Sequence, residues 1–247
     1  MASYLSSMPI WAIVLFIAGF IYSIAFITNP AKQAALDAGM APARARNIQL
    51  GIFGFYILYL AYASILALKG VFQTNSIPPK VMVLTAIPLT VMLFVIVGNT
   101  KLFKKLLRSI TLESLIALHV FRLLGVFEIL LYFYHLLPGD FAFSAGMGDI
   151  ITAIFAWPVA KMVSKRKPGS LKMAYAWNIF GTLDIITLLV IAVINTRNAI
   201  VTGAPGVQEM TIFPFVWFPA FAPATILFLH YATFRKLRQI KDRSAQS

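Results

Sequence analysis

His119, Arg122, Glu128, His135 and Asp149 fall within Leu115–Ala160, a stretch otherwise apolar enough to lie in a bilayer. An ionisable side chain at mid-membrane costs on the order of 3 kcal/mol or more unless it faces a partner or water, which makes each of them a candidate for function. Asn178 and Asp184 interrupt a second apolar stretch and His230 a third. This is a set for handling ions or protons: Arg122 as a fixed positive charge, Asp184 as a protonatable gate, and His119 and His230 as groups that exchange protons near neutral pH. Signatures of covalent or hydrolytic catalysis are missing. The chain has no HExxH, no Walker loop and no GxSxG. GMGDII lacks the spacing and the flanking strand of a dinucleotide fingerprint. With no cysteine there is no disulfide, thiolate metal site or cysteine nucleophile. No catalytic residue is assigned and no cofactor is predicted.

These residues must be positioned by membrane helices. The chain has 247 residues, 60% hydrophobic and 12% charged, with a mean hydropathy of +0.84. That is the composition of a polytopic membrane protein, not of a soluble domain. Seven runs are long enough to cross a core of about 30 Å: Met8 to Thr28, Ile48 to Leu68, Val81 to Gly98, Leu115 to Leu137, Phe143 to Val163, Leu171 to Asn195 and Thr211 to Phe234. Backbone groups in lipid must be paired within the segment, and no long period-two alternation suggests a barrel. The expectation is an all-α bundle of seven spans forming a single transmembrane domain over residues 1–247, with 235–247 as a basic tail. The first span is read as a retained helix and not a signal peptide, since no positive charge precedes it.

The net charge of +13 sits between the apolar runs and not on one face of a soluble fold, which argues against nucleic acid as a partner. Seventeen of the lysines and arginines fall in the first, third and fifth connections and the tail; Lys69, Lys80 and Arg197 fall on the other side. By the positive-inside rule this places the N-terminus outside and the C-terminus in the cytoplasm. Asn29 and Pro30 are expected to cap a short separate helix through Asp37. KLFKKLLR spaces Lys101, Lys104, Lys105 and Arg108 at i, i+3, i+4, i+7, an interfacial stripe facing anionic headgroups.

Measured from the cytoplasmic helix ends at 1.5 Å per residue, His119, Arg122, Asn178 and His230 lie roughly 6–10 Å deep and Asp184 about 16 Å. Helical phase turns His119 with Arg122, and Trp177 with Gly181 and Asp184, so the fourth, sixth and seventh spans should face one another with Arg122 against Asp184. Pro219 and Pro223 should leave the carbonyls of Phe215 and Pro219 unpaired and kink the seventh span beside this pocket. Glu128 and His135, seven apart, are expected on the opposite face of the fourth span at an extracytoplasmic mouth. Asp149 is expected to join them there, or to cap the fifth helix. Ala145, Asp149, Ala153, Ala156 and Ala160 make a small-residue seam for close packing.

HVFRLLG, LPGDFAFSAGMGD, WNIFGTLD and FPAFAPATILFLH, spread over the last four spans, resemble an uncharacterised family of small bacterial polytopic inner-membrane proteins. The resemblance implies a multi-pass protein of the bacterial inner membrane and supplies no activity.

The leading expectation is therefore a carrier for a small solute or ion, with a polar pocket between the fourth, sixth and seventh spans and the lipid bilayer as its surroundings. One rival is a redox protein holding haem, a metal or a quinone through His119, His230 and Asp184. Another is a membrane sensor or assembly partner in which the ion pair only fixes helix packing.

Overall fold

The computed structural model describes residues 8–74, 76–203 and 206–244, and among them there are helices and no strands. Eight helices follow in order: α1 (Ile10–Asp37), α2 (Pro42–Leu68), α3 (Met82–Asn99), α4 (Lys101–Ser109), α5 (Leu112–Phe133), α6 (Gly139–Ser164), α7 (Ser170–Thr202) and α8 (Trp217–Ser244). Six of these, α1, α2, α3, α5, α6 and α7, are long and apolar enough to cross a membrane. They match the first six expected spans. The seventh expected span is helical only from Trp217, and Pro219, Pro223, Thr225 and His230 dilute its hydropathy.

That dilution has a structural reason, because α8 is the centre of the molecule. It packs on α7, α3, α5, α2 and α4, and Phe221, Ala224 and Ile226 are fully buried. Phe16 and Phe20 of α1 meet Trp217 and Phe218, with ring centroids 5.1–6.2 Å apart, while Tyr56 of α2 meets Phe221 at 4.9 Å. Trp217 Nε1 donates to Ser64 Oγ at 2.8 Å and the Tyr59 hydroxyl to the Ala220 carbonyl at 3.1 Å. A helix surrounded by protein can carry polar groups that a lipid-facing helix cannot.

Prolines shape the helices in three different ways. Pro30 lies inside α1, which runs unbroken from Ile10 to Asp37, so the separate short helix is not formed. In α3 the turns on both sides of Ile87–Val91 widen to i→i+5 spacing. Pro88 has no N–H to give the Leu84 carbonyl, which instead accepts the Tyr62 hydroxyl at 3.2 Å. Pro219 lies in the first turn of α8, where no donor is needed, and the Phe215 carbonyl accepts Phe218 N–H at 3.0 Å. The expected orphan carbonyl at Phe215 is thus satisfied. Only Pro223 interrupts the helix interior.

The KLFKKLLR segment forms a separate helix, α4. Thr100 caps its start by accepting Phe103 N–H, and Lys236 Nζ donates to the carbonyls of Leu107 and Arg108 at its end, at 3.1 and 2.9 Å. The small-residue seam of α6 is buried along its whole length, from Ala145 to Ala160. Gly146 of this helix meets Gly125 of α5 so closely that a Cβ on Gly146 would lie 2.7 Å from the Gly125 carbonyl oxygen and 2.6 Å from Ile129 Cγ1. Gly146→Ala is therefore expected to destabilise the protein by about 1–3 kcal/mol through overpacking. Gly54→Ala, where a Cβ meets nothing within 4 Å, should leave stability unchanged or raised. Thermal unfolding of the two variants in the same detergent checks the contrast.

Candidate functional site

The polar residues converge where α5, α6, α7 and α8 meet. The α5 backbone tightens to a 3₁₀ pitch over Leu118–Gly125, which brings residues three apart into one row. His119, Arg122 and Gly125 therefore share a face. His119 points at α8, Arg122 at α6 and α7, and Gly125 admits α6, since a Cβ there would lie 2.7 Å from Asp149 Cβ.

Arg122 is 1% exposed and every nitrogen of its guanidinium is engaged. Nε donates to Asp149 Oδ1 at 2.7 Å, with Nη2 2.6 Å from the same oxygen. Nη2 also donates to Asp184 Oδ2. Nη1 donates to the Gly181 carbonyl at 3.4 Å and to His230 Nε2 at 3.2 Å. Because Nη1 has only protons to give, His230 Nε2 must accept, so His230 carries its proton on Nδ1 and is neutral. Nδ1 accordingly donates to Asn178 Oδ1 at 2.8 Å, and Asn178 Nδ2 returns a bond to the His230 carbonyl at 3.1 Å. Two glycines make the approach feasible. A Cβ on Gly181 would sit 2.6 Å from the His230 ring and one on Gly148 would collide with the Asp184 carboxylate.

Asp184 thus pairs with Arg122 as expected, and Asn178 and His230 join the same network. Asp149 does so unexpectedly. Since α6 begins at Gly139, Asp149 is about three turns inside the helix and is not its cap. The signal for it was its place in the buried alanine seam beside Gly146 and Gly148, a carboxylate on a face reserved for close helix contact.

Glu128 is also moved. At about 100° per residue it would stand about 180° from His119. The 3₁₀ turns, at about 120° per residue, bring it to about 60° from the His119–Arg122 row. It is 2% exposed, and Oε2 has no hydrogen-bond partner. His135, by contrast, is exposed in the turn after α5 with a φ of 59° and stands apart from the cluster. The expected Glu128–His135 face is not formed.

Glu128 and Asp149 are the ionisable residues lining a mostly apolar cavity of about 90 Å³, to which Thr74, Thr196, Gln208 and Thr211 also contribute. Its walls include Met82 of α3, Ile185 and Leu188 of α7, and Pro219 and Pro223 of α8. Phe72 and Val207, in the connections after α2 and α7, also line it. On the other side of Arg122, the His119 ring stacks on His230 with centroids 4.1 Å apart and meets the edge of Trp177 at 5.0 Å. Neither His119 nitrogen has a partner, nor does the buried Thr152 hydroxyl. Trp177 Nε1 donates to the Thr152 carbonyl at 3.0 Å. Of the two buried histidines, His230 engages both its nitrogens and His119 has both free for a ligand. Among the described residues no group of three or more His, Asp or Glu is arranged to hold a metal ion.

The architecture is all-helical, with six helices long and apolar enough to cross a membrane, compatible with a multi-pass integral membrane protein, and Arg122, Glu128, Asp149 and Asp184 are gathered between its helices. The chain belongs to the family described as Domain of unknown function (DUF8737), which matches residues 77–238. That range covers α3 to α7 and most of α8, and so includes every residue of the network. No curated protein and no solved structure is detectably similar to the chain.

Removing one partner from a buried charge cluster leaves the others uncompensated, at a cost of about 3–5 kcal/mol. Arg122→Gln is expected to lose that much stability, and adding Asp149→Asn and Asp184→Asn should restore a large part of it. Unfolding of the single and triple variants in mixed micelles checks the recovery; without it the three groups do not act as one unit.

Proposed function

We propose that the protein is a carrier of the bacterial inner membrane that moves a small positively charged solute in exchange for protons. In this reading α8 is the seventh span, the N-terminus is outside and the C-terminus is cytoplasmic. The distribution of Lys and Arg supports that orientation. The burial of α8 among the six apolar helices supports the seventh crossing.

The observation that carries the proposal is an excess of acid. Arg122 faces Asp149 and Asp184, and Glu128 adds a third buried carboxyl with a free oxygen at the cavity. One fixed positive charge does not balance three carboxylates in a low-dielectric interior. The cluster therefore needs further positive charge, either as protons on carboxyls or as a cation in the cavity. A site with two mutually exclusive ways of meeting one charge deficit is the minimal device for exchange. Arg122 serves as the fixed countercharge of the acids. Because it is saturated, it is not available to an incoming anion. Glu128 takes the proton or the cation from the outer cavity. Asp184, 13% exposed, is the protonatable group shared with α7, and His230 and His119 pass protons toward the cytoplasmic side. The apolar walls select a solute with a small hydrocarbon body, and Pro223 is where α8 can bend as the cavity closes.

Purified protein in pyranine-loaded proteoliposomes tests this reading. Small quaternary ammonium ions of graded size are suitable probes, because their fixed charge prevents passive crossing. An imposed cation gradient is expected to change the internal pH. Glu128→Gln should slow the response about tenfold or more, the equivalent of losing one charge-assisted interaction of roughly 1.4 kcal/mol. A response that is absent for the wild type, or unchanged in Glu128→Gln, Asp184→Asn and Arg122→Gln alike, overturns the carrier reading.

A further inference from the structure

A second cavity, of about 430 Å³, lies away from the charged network, between α1, α2, α3 and α8 and roofed by α4. Its walls are almost wholly apolar, from Ile27 and Ile52 to Leu93, Leu115 and Phe228. The hydroxyls of Thr225 and Tyr56 are turned to each other at 3.3 Å, which removes most of what polarity the walls have. Walls of that character reject water and accept hydrocarbon.

The roof has the opposite character. α4 directs Leu106 and Leu107 toward the cavity and exposes Lys101, Lys104, Lys105 and Arg108. Its position is fixed at both ends, by the Thr100 cap and by Lys236, whose ammonium holds the last carbonyls. Leu102, 40% exposed, also lines the cavity, so the apolar space reaches the edge of the basic helix. An apolar chamber beneath a row of cations matches one molecule in shape and charge: an acyl chain inside and an anionic headgroup at the rim.

We propose that this cavity is a binding site for one chain of an anionic membrane lipid, with the phosphate held by Lys101, Lys104 and Lys105 of α4. The site is independent of the carrier reading, since it shares no residue with the charged network. Its occupant bridges α2, α4 and α8, so it would tie the interfacial helix to the central one.

Gly51 allows a clean test. It lines the cavity, and a Cβ there meets nothing within 4 Å, so a large side chain can enter the space without a clash. Gly54, one turn on and equally unobstructed, does not line it and serves as control. Full-length protein is equilibrated in nanodiscs holding equal amounts of phosphatidylglycerol and phosphatidylcholine with identical chains, then released for native mass spectrometry. The wild type and Gly54→Trp are expected to retain one phosphatidylglycerol in preference to phosphatidylcholine. Gly51→Trp should lose the bound lipid. Lys101→Gln combined with Lys104→Gln and Lys105→Gln should keep one lipid but take the two kinds equally. A phosphatidylglycerol carrying a mid-chain diazirine should label α2 or α8 peptides in the wild type and not in Gly51→Trp. Equal retention of both lipids by the wild type, lipid retention unaffected by Gly51→Trp, or crosslinks confined to the outer surface of α4 would each overturn the proposal.

Discussion

The guanidinium of Arg122 is the interaction on which the remaining structure depends. It is buried, permanently charged and bonded to groups from α6, α7 and α8, so it fixes the relative position of four helices at one point. Lysine could not replace it, because a point charge with three donors cannot reach two carboxylates, a carbonyl and an imidazole from one planar fork. Its burial also imposes conditions on its surroundings. The helices must come close enough to saturate it, and this is why glycine stands at 125, 148 and 181, where any side chain would strike Asp149, Asp184 or His230. The 3₁₀ pitch of α5 belongs to the same requirement, since it aligns His119, Arg122 and Gly125 toward the neighbouring helices.

A network of this kind is compatible with a purely structural role, and membrane bundles use polar contacts to fix register. Two features go beyond that role. A structural cluster gains most when every group is satisfied, yet Glu128, His119 and Thr152 each keep buried polar atoms without partners. These atoms also lie on either side of Arg122, with Glu128 at the outer cavity and His119 stacked beyond His230. The arrangement is a line of ionisable groups through a bundle, interrupted by one permanent cation. In the proposed carrier, protons exchange among the groups on each side, while the arginine discourages a bare cation from passing straight through.

The two cavities divide the molecule between two solvents. The one at Glu128 is bounded by α3, α7 and the first half of α8 and is lined by the carboxyls of Glu128 and Asp149. The one under α4 contains none and adjoins the basic helix. Both use α8 as a common wall, with Pro219 and Pro223 on the first and Thr225 and Phe228 on the second. A bend at Pro223 would therefore alter the two spaces together, which couples any motion of the polar site to the packing of the interfacial helix.

Much of this was legible from residue order alone. The lengths of the apolar runs determined the helices, and the spacing of lysines and arginines determined α4. Helical phase determined that Arg122 should meet Asp184 with Asn178 and His230 nearby, because these depend on a single helix period and on the cost of unpaired charge in an apolar medium. Tertiary structure alone decided the rest. Glu128 joined the cluster because α5 is overwound, and a local change of pitch has no residue signature when packing imposes it. Asp149 joined because Gly125 and Gly146 let α5 and α6 touch, a property of two helices together and of neither alone. The unbroken course of α1 through Pro30 and the start of α8 only at Trp217 were likewise not legible in the residue order. Periodicity specifies which residues lie on one face; only the assembled bundle specifies which faces meet and at what pitch.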